Sequence, residues 1–267
     1  GGLPLLILAV SATRFLVAFA NGIYLFVWRY PWLRPKPSAV RWSRIRYLFT
    51  LGGNYMVSQI SSLGVYQSQP MIITQMLGPS YVPMFVIAQK IVTLASSLMY
   101  TATSPLIPAY SEAAARADWA WIKTTLKRAI IVSLAVGAPL TCAAAVAARP
   151  LIRWWMGSAL VPSYFLVFWL GVYTLTCVAV FSPGNVLVAL GRMGVLAVSV
   201  TLCAIATIGL SIQFAHRWGL TGIAFAMSMS ALFVMGGSQF YMAHRMLNTR
   251  LLDALEAEPV PEPAISA

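Results

Sequence analysis

Acidic residues are scarce in this chain. Only six Asp and Glu stand among 267 residues. All six (Glu112, Asp118, Asp253, Glu256, Glu258 and Glu262) lie outside the long apolar runs. An ion-coupled carrier usually holds its ion on an intramembrane carboxylate or on carbonyls, so the chain offers no evident proton relay. Histidine is nearly absent as well, and His216 and His244 stand at the ends of apolar segments, as interfacial residues do. The three cysteines, Cys142, Cys177 and Cys203, are odd in number and lack metal-ligand spacing. They read as small buried side chains rather than a zinc site or a disulfide framework. No metal or cofactor is expected.

Charge of either sign is also sparse. Charged residues make up 9% of the chain against 60% hydrophobic, and mean hydropathy is +0.79. A soluble domain carries about 25% charged residues. The composition is that of an integral membrane protein, and a bilayer core needs roughly 20 apolar residues per helix. The pattern predicts about seven transmembrane helices, near 4–28, 47–77, 84–108, 129–148, 163–190, 194–215 and 220–243. The second is expected to be interrupted at Pro70 and the fifth kinked near Pro183. These segments are too long and too evenly apolar for barrel strands.

Thirteen of the 18 basic residues (Arg29, Arg34, Lys36, Arg41, Arg44, Arg46, Arg116, Lys123, Lys127, Arg128, Arg192, Arg245 and Arg250) fall on one side of this arrangement. Arg149, Arg153 and Arg217 fall on the other. The excess marks the cytoplasmic side, which places the C-terminus inside. It also explains the net charge of +12 without nucleic acid. The 29–46 loop is suited to anionic lipid headgroups. Trp119 and Trp121 lie in an amphipathic segment expected to rest on the membrane surface. The tail 246–267 reads as disordered and cytoplasmic. The chain opens on Gly-Gly-Leu-Pro without Met and enters an apolar run at once. The expectation is therefore that it is the C-terminal part of a longer protein.

Two cations remain inside spans. Arg14 is about 15 Å deep at 1.5 Å per residue, where insertion costs roughly 2.5–3.5 kcal/mol. Lys90 is about 9 Å deep by the same rise. If both face one cavity, they would attract an anionic cargo such as a lipid phosphate. Asn54, Gln67 and Gln69 are the polar lining expected around them. Gln59, Asn185 and Gln239 are further polar points. Any one of these amides could equally tie helix to helix.

"MLGPSYVPMFVIAQKI", "SPLIPAYSEAAARADWAWIKTTLKRA", "PLIRWWMG", "ALGRMG" and "WGLTGIAFAMSMS" follow one another in an order and spacing that carry a resemblance. The chain resembles the C-terminal half of the polysaccharide-biosynthesis flippases. This is the Wzx-like branch of the superfamily that also holds multidrug and toxic-compound extrusion transporters and lipid II flippases. The matching positions are Leu77, Gly78, Phe85, Ala88, Lys90, Pro108, Gly191, Arg192, Gly219 and Gly222. Gln69 departs from the pattern, because the family often has an Asp there. Pro83 stands in place of a usual Gly and Phe85 in place of a common Tyr.

The resemblance implies an all-α integral membrane transporter of two six-helix lobes, not an enzyme. Residues 1–28 would be the last helix of a missing first lobe, 29–46 the cytoplasmic connector and 47–245 the second lobe. The cargo would be an undecaprenyl-diphosphate-linked oligosaccharide, an O-antigen or exopolysaccharide unit. It would be flipped from the inner to the outer leaflet of a bacterial cytoplasmic membrane by alternating access. A drug/cation antiporter of the same superfamily, or a membrane-embedded glycan polymerase or ligase, are the alternatives. The antiporter would need an intramembrane carboxylate, and the enzyme a catalytic outer loop. The longest outer segment, 149–162, offers only Arg149 and Arg153.

Overall fold

A computed structural model of the chain describes residues 2–33 and 42–257. Among the described residues every regular element is helical. The main helices are α1 (Gly2–Ile23), α2 (Trp42–Met76), α3 (Val82–Thr103), α4 (Leu106–Ala115), α5 (Trp119–Met156), α6 (Tyr164–Ala189), α7 (Met193–Met229) and α8 (Gly237–Ala257). The chain divides into two compact units, 1–49 and 50–267, with the division falling inside α2. The segment 34–41, within the basic loop, lies outside the described residues.

Five segments are long and apolar enough to cross a membrane: Leu8–Arg29, Pro79–Ala115, Trp119–Met156, Tyr164–Ala189 and Met193–Thr249. The last is 57 residues long, about 85 Å at 1.5 Å per residue, far more than one bilayer. It is two arms rather than one. Gly219 takes φ 56° and ψ −136° inside it, and Ser199 Oγ lies 2.5 Å from Ser238 Oγ across the fold. A Cβ at Gly222 would stand 2.2 Å from the Phe214 carbonyl oxygen, so only glycine lets the arms meet this closely. The Gly-x-x-Gly of the sequence is the hinge of this hairpin. Among the described residues α2 is also long, but interspersed with amides, and it is not one of these five segments. The chain is a multi-pass, all-α integral membrane protein.

The helices pass through their prolines. α2 is continuous across Pro70, α5 across Pro139 and Pro150, and α6 across Pro183. The interruption expected at Pro70 is therefore a continuous helix. In an apolar medium, dropping a whole helical turn exposes more backbone groups than losing one donor does. The segment around Trp119 and Trp121, expected to rest on the membrane surface, is organised differently. α4 ends at Ala115, the chain turns through Ala117 at φ 59°, and Asp118 caps α5 by accepting a hydrogen bond from the Trp121 amide at 3.0 Å. The remainder of that segment is the first part of a 38-residue helix. At about 57 Å that helix exceeds the hydrocarbon core, so Lys123, Lys127 and Arg128 project at one end and Arg153, Trp154 and Trp155 at the other. α8 runs to Ala257, so the first part of the expected tail is helical, and 258–267 lies outside the described residues.

In the first unit, the apolar span Leu8–Arg29 buries nothing. A helix that is apolar on every side and covers no core is one made for lipid or for other helices. In the second unit, α6 is the central helix, packed by α3, α5, α7 and α8. Its buried residues run the whole way round, from Leu166 to Leu187. One core joins Val65, Ile72, Ile73, Phe85, Val92, Leu170 and Met227. A second, smaller core at the α6 C-terminal end gathers Tyr110, Ile122, Leu126, Val186 and Leu247. It is stitched by Lys123 Nζ donating to Asn248 Oδ1 at 2.9 Å and Ser111 Oγ donating to the Ala189 carbonyl at 3.2 Å.

Candidate functional site

The second unit encloses a cavity of about 420 Å³. Four helical stripes wall it. α2 presents Tyr55, Ser58, Gln59, Ser62 and Tyr66, spaced three or four apart and so on one face. α6 adds Tyr173, Cys177, Phe181 and Asn185 at the same kind of spacing, α7 adds Met193, Leu196, Val200 and Cys203, and Ala231, Met235 and Gln239 close it from the returning arm. Tyr100 and Ile107 contribute from α3 and α4. The cavity thus occupies the half of α6 nearer the Gly191–Arg192 turn.

α2 is held over this space by side chains at two places. Ser61 Oγ and Thr201 Oγ1 are 2.8 Å apart. The Tyr66 and Tyr173 rings meet edge to face with centroids 6.4 Å apart.

No Asp, Glu, Lys, Arg or His is among the lining residues. The polar groups are amides and hydroxyls, and several are unanswered by the protein. Ser58 is 7% exposed and its Oγ has no partner. Gln239 is 2% exposed and has no hydrogen-bond partner among the described residues. Asn185, 4% exposed, spends its Nδ2 on the Thr103 carbonyl at 3.1 Å, and its Oδ1 makes no bond. A buried polar group left unpaired costs about 1–3 kcal/mol. Such groups around open space can be satisfied by water or by a hydroxylated ligand.

The residues singled out in the sequence are placed differently. Arg14 is exposed on α1, in the first unit. The other four belong to the second unit, and none lines the cavity. Lys90 is exposed on α3, and Gln67 is exposed on α2. Asn54 faces α7, where a Cβ added at Gly194 would come within 3.5 Å of its Nδ2. Gln69 is fully buried beside Pro70. Its Nε2 donates to the Val65 carbonyl at 3.2 Å and to Ser68 Oγ at 3.3 Å, while its Oε1 has no partner. Gln59, Asn185 and Gln239 do converge. The stripe of Tyr55, Ser58, Ser62 and Tyr66 was not singled out, although its helical spacing was visible in the chain. Tyr and Ser carry no charge and are ordinary in spans, so only the gap opposite them gives that spacing meaning.

A family model described as polysaccharide biosynthesis protein matches residues 10–164, more than half of the chain. No curated protein and no solved structure matches the chain.

Proposed function

The chain belongs to the polysaccharide biosynthesis protein family, and from that premise we propose that it works as a flippase for a lipid-linked oligosaccharide. In this reading the cargo is an isoprenoid-diphosphate-linked glycan, moved from the inner to the outer leaflet of a bacterial cytoplasmic membrane. A first lobe, supplied by the N-terminal part of the same protein, completes the transporter, and the C-terminus is cytoplasmic. The observation that supports it best is a cavity among long apolar helices that no Asp, Glu, Lys, Arg or His lines among the described residues. A drug/cation antiporter would be expected to place a carboxylate in such a cavity, and a polymerase or ligase an acid, base or nucleophile.

Charge recognition of the diphosphate falls to cations elsewhere. Arg14 and Lys90 are the choices, because each is an exposed cation on an otherwise apolar helix. Exposure there is expensive against lipid and useful against a phosphate. Asn54, Gln67 and Gln69 are proposed as polar support on α2.

The test is leaflet translocation in proteoliposomes containing the full protein and a fluorescent lipid-linked oligosaccharide. Transfer of the label to the opposite leaflet with the glycan chemically unchanged supports the flippase. A glycan lengthened or transferred to an acceptor would replace it with an enzyme.

A further inference from the structure

The cavity of the second unit has a composition that restricts its occupant. With no ionisable acid or base of ordinary pKa near neutrality on its walls, it cannot compensate a phosphate or a cation, and burying an unpaired charge there would be strongly unfavourable. A hydrocarbon chain fits its apolar surface but would leave the unpaired Ser58 Oγ unanswered and offer nothing to the Asn185 and Gln239 amides that line the space. The size, about 420 Å³, falls within the roughly 300–1,000 Å³ of small-molecule sites. The fitting occupant is neutral, carries several hydroxyls and has apolar faces of its own.

A pyranose ring has this chemistry. Its hydroxyl rim donates and accepts hydrogen bonds, and its C–H faces are apolar. Amides and serine hydroxyls can pair with the rim, and tyrosine rings offer flat apolar faces to the ring. Tyr66 and Tyr173 already stand edge to face, and Asn185 and Gln239 line the same cavity.

We infer that the cavity between α2, α6, α7 and α8 is a binding site for an uncharged sugar unit, answered by Ser58, Asn185 and Gln239. The inference rests on the flippase reading only for the source of that sugar, the glycan of the cargo. It separates two tasks within one transporter. Neutral groups inside the second unit take a sugar ring, and phosphate is held elsewhere by charge.

Saturation-transfer NMR on the full protein in lipid nanodiscs tests it, with methyl α-glucoside and N-acetylglucosamine as neutral probes and glucuronate as the charged one. Saturation should reach at least one neutral sugar and not glucuronate. Gln239→Leu, nearly equal in volume, should weaken that binding at least fivefold while thermal unfolding stays unchanged or rises. Should Gln239→Leu fail to fold, Ser58→Ala gives the same comparison at the unpaired hydroxyl. Absence of transfer to both neutral sugars, equal transfer to glucuronate, or unchanged binding in these variants would overturn the site. Translocation of lipid-linked glycan without sugar binding would remove this site and leave the flippase standing. Sugar binding without translocation would do the reverse.

Discussion

Asn185 and Gln239 are buried amides lining one cavity, Gln239 with its Oε1 against Gly184, and they differ in pairing: the Asn185 Nδ2 holds the Thr103 carbonyl at 3.1 Å, while Gln239 has no hydrogen-bond partner among the described residues. Two residues of like chemistry thus have opposite energetic roles. One ties α6 to the C-terminal end of α3. The other contributes no internal bond and is free for a ligand.

Replacing the two therefore separates stability from binding. Asn185→Leu strands the Thr103 carbonyl and should lower stability by about 1–3 kcal/mol. Gln239→Leu removes an unpaired amide and should leave stability level or higher. Thermal unfolding in detergent, run side by side on both variants, reads the difference. Equal losses would show that Gln239 has a structural partner.

The hairpin at Gly219 is stereochemically strict. Gly219→Ala would force a side chain onto a left-handed backbone, at about 1 kcal/mol or more. Gly222→Ala should be worse, since its Cβ would meet the Phe214 carbonyl oxygen at 2.2 Å. Yield and unfolding temperature of the two variants should rank in that order. A Gly222→Ala protein as stable as the parent would mean that the two arms do not meet as closely as described.

Arg14→Ala and Lys90→Ala should each abolish glycan export, with folded protein retained in the membrane, because both side chains are exposed and neither ties the core. Surface polysaccharide measured in cells reads the export, and detergent-extracted monodisperse protein reads the folding. Normal export in both variants would remove the cations from the transport pathway.

The excess of basic residues on one side predicts the orientation. In a protein whose exposed Cys142 is replaced by Ala, a Cys at Arg192 should resist an impermeant thiol reagent added to intact cells. A Cys at Arg153 should react. The opposite labelling pattern would invert the topology.

Neutral-sugar binding should not vary between pH 5.5 and 7.5. Among the described residues the titratable side chains on the cavity wall are Tyr and Cys, which ordinarily lose protons near 10 and 8.5. A midpoint inside that window would require an acid or base that is not on the wall.

Much of the architecture was legible in the chain. Runs such as 194–215 and 220–243 are apolar over a bilayer's length, and a bilayer leaves such runs no option but helices that satisfy their own hydrogen bonds. The resemblance set Gly219 and Gly222 at the opening of the last span. The prolines were less legible, because whether Pro70 breaks α2 depends on the turns around it rather than on Pro70 itself. The candidate site was legible least. Charge drew notice to Arg14 and Lys90, since a charge in lipid is costly wherever it points. A tyrosine or serine on a span carries no such signal.

Composition and periodicity by themselves determined that this protein is helical, that it lies in a membrane and which loops carry the positive charge. Those properties depend on transfer of each segment from water to hydrocarbon, and that energy is nearly local to the segment. Which polar groups converge was decided only by tertiary structure. Ser58, Asn185 and Gln239 are far apart in the chain. They share one space because α2, α6, α7 and α8 converge around it.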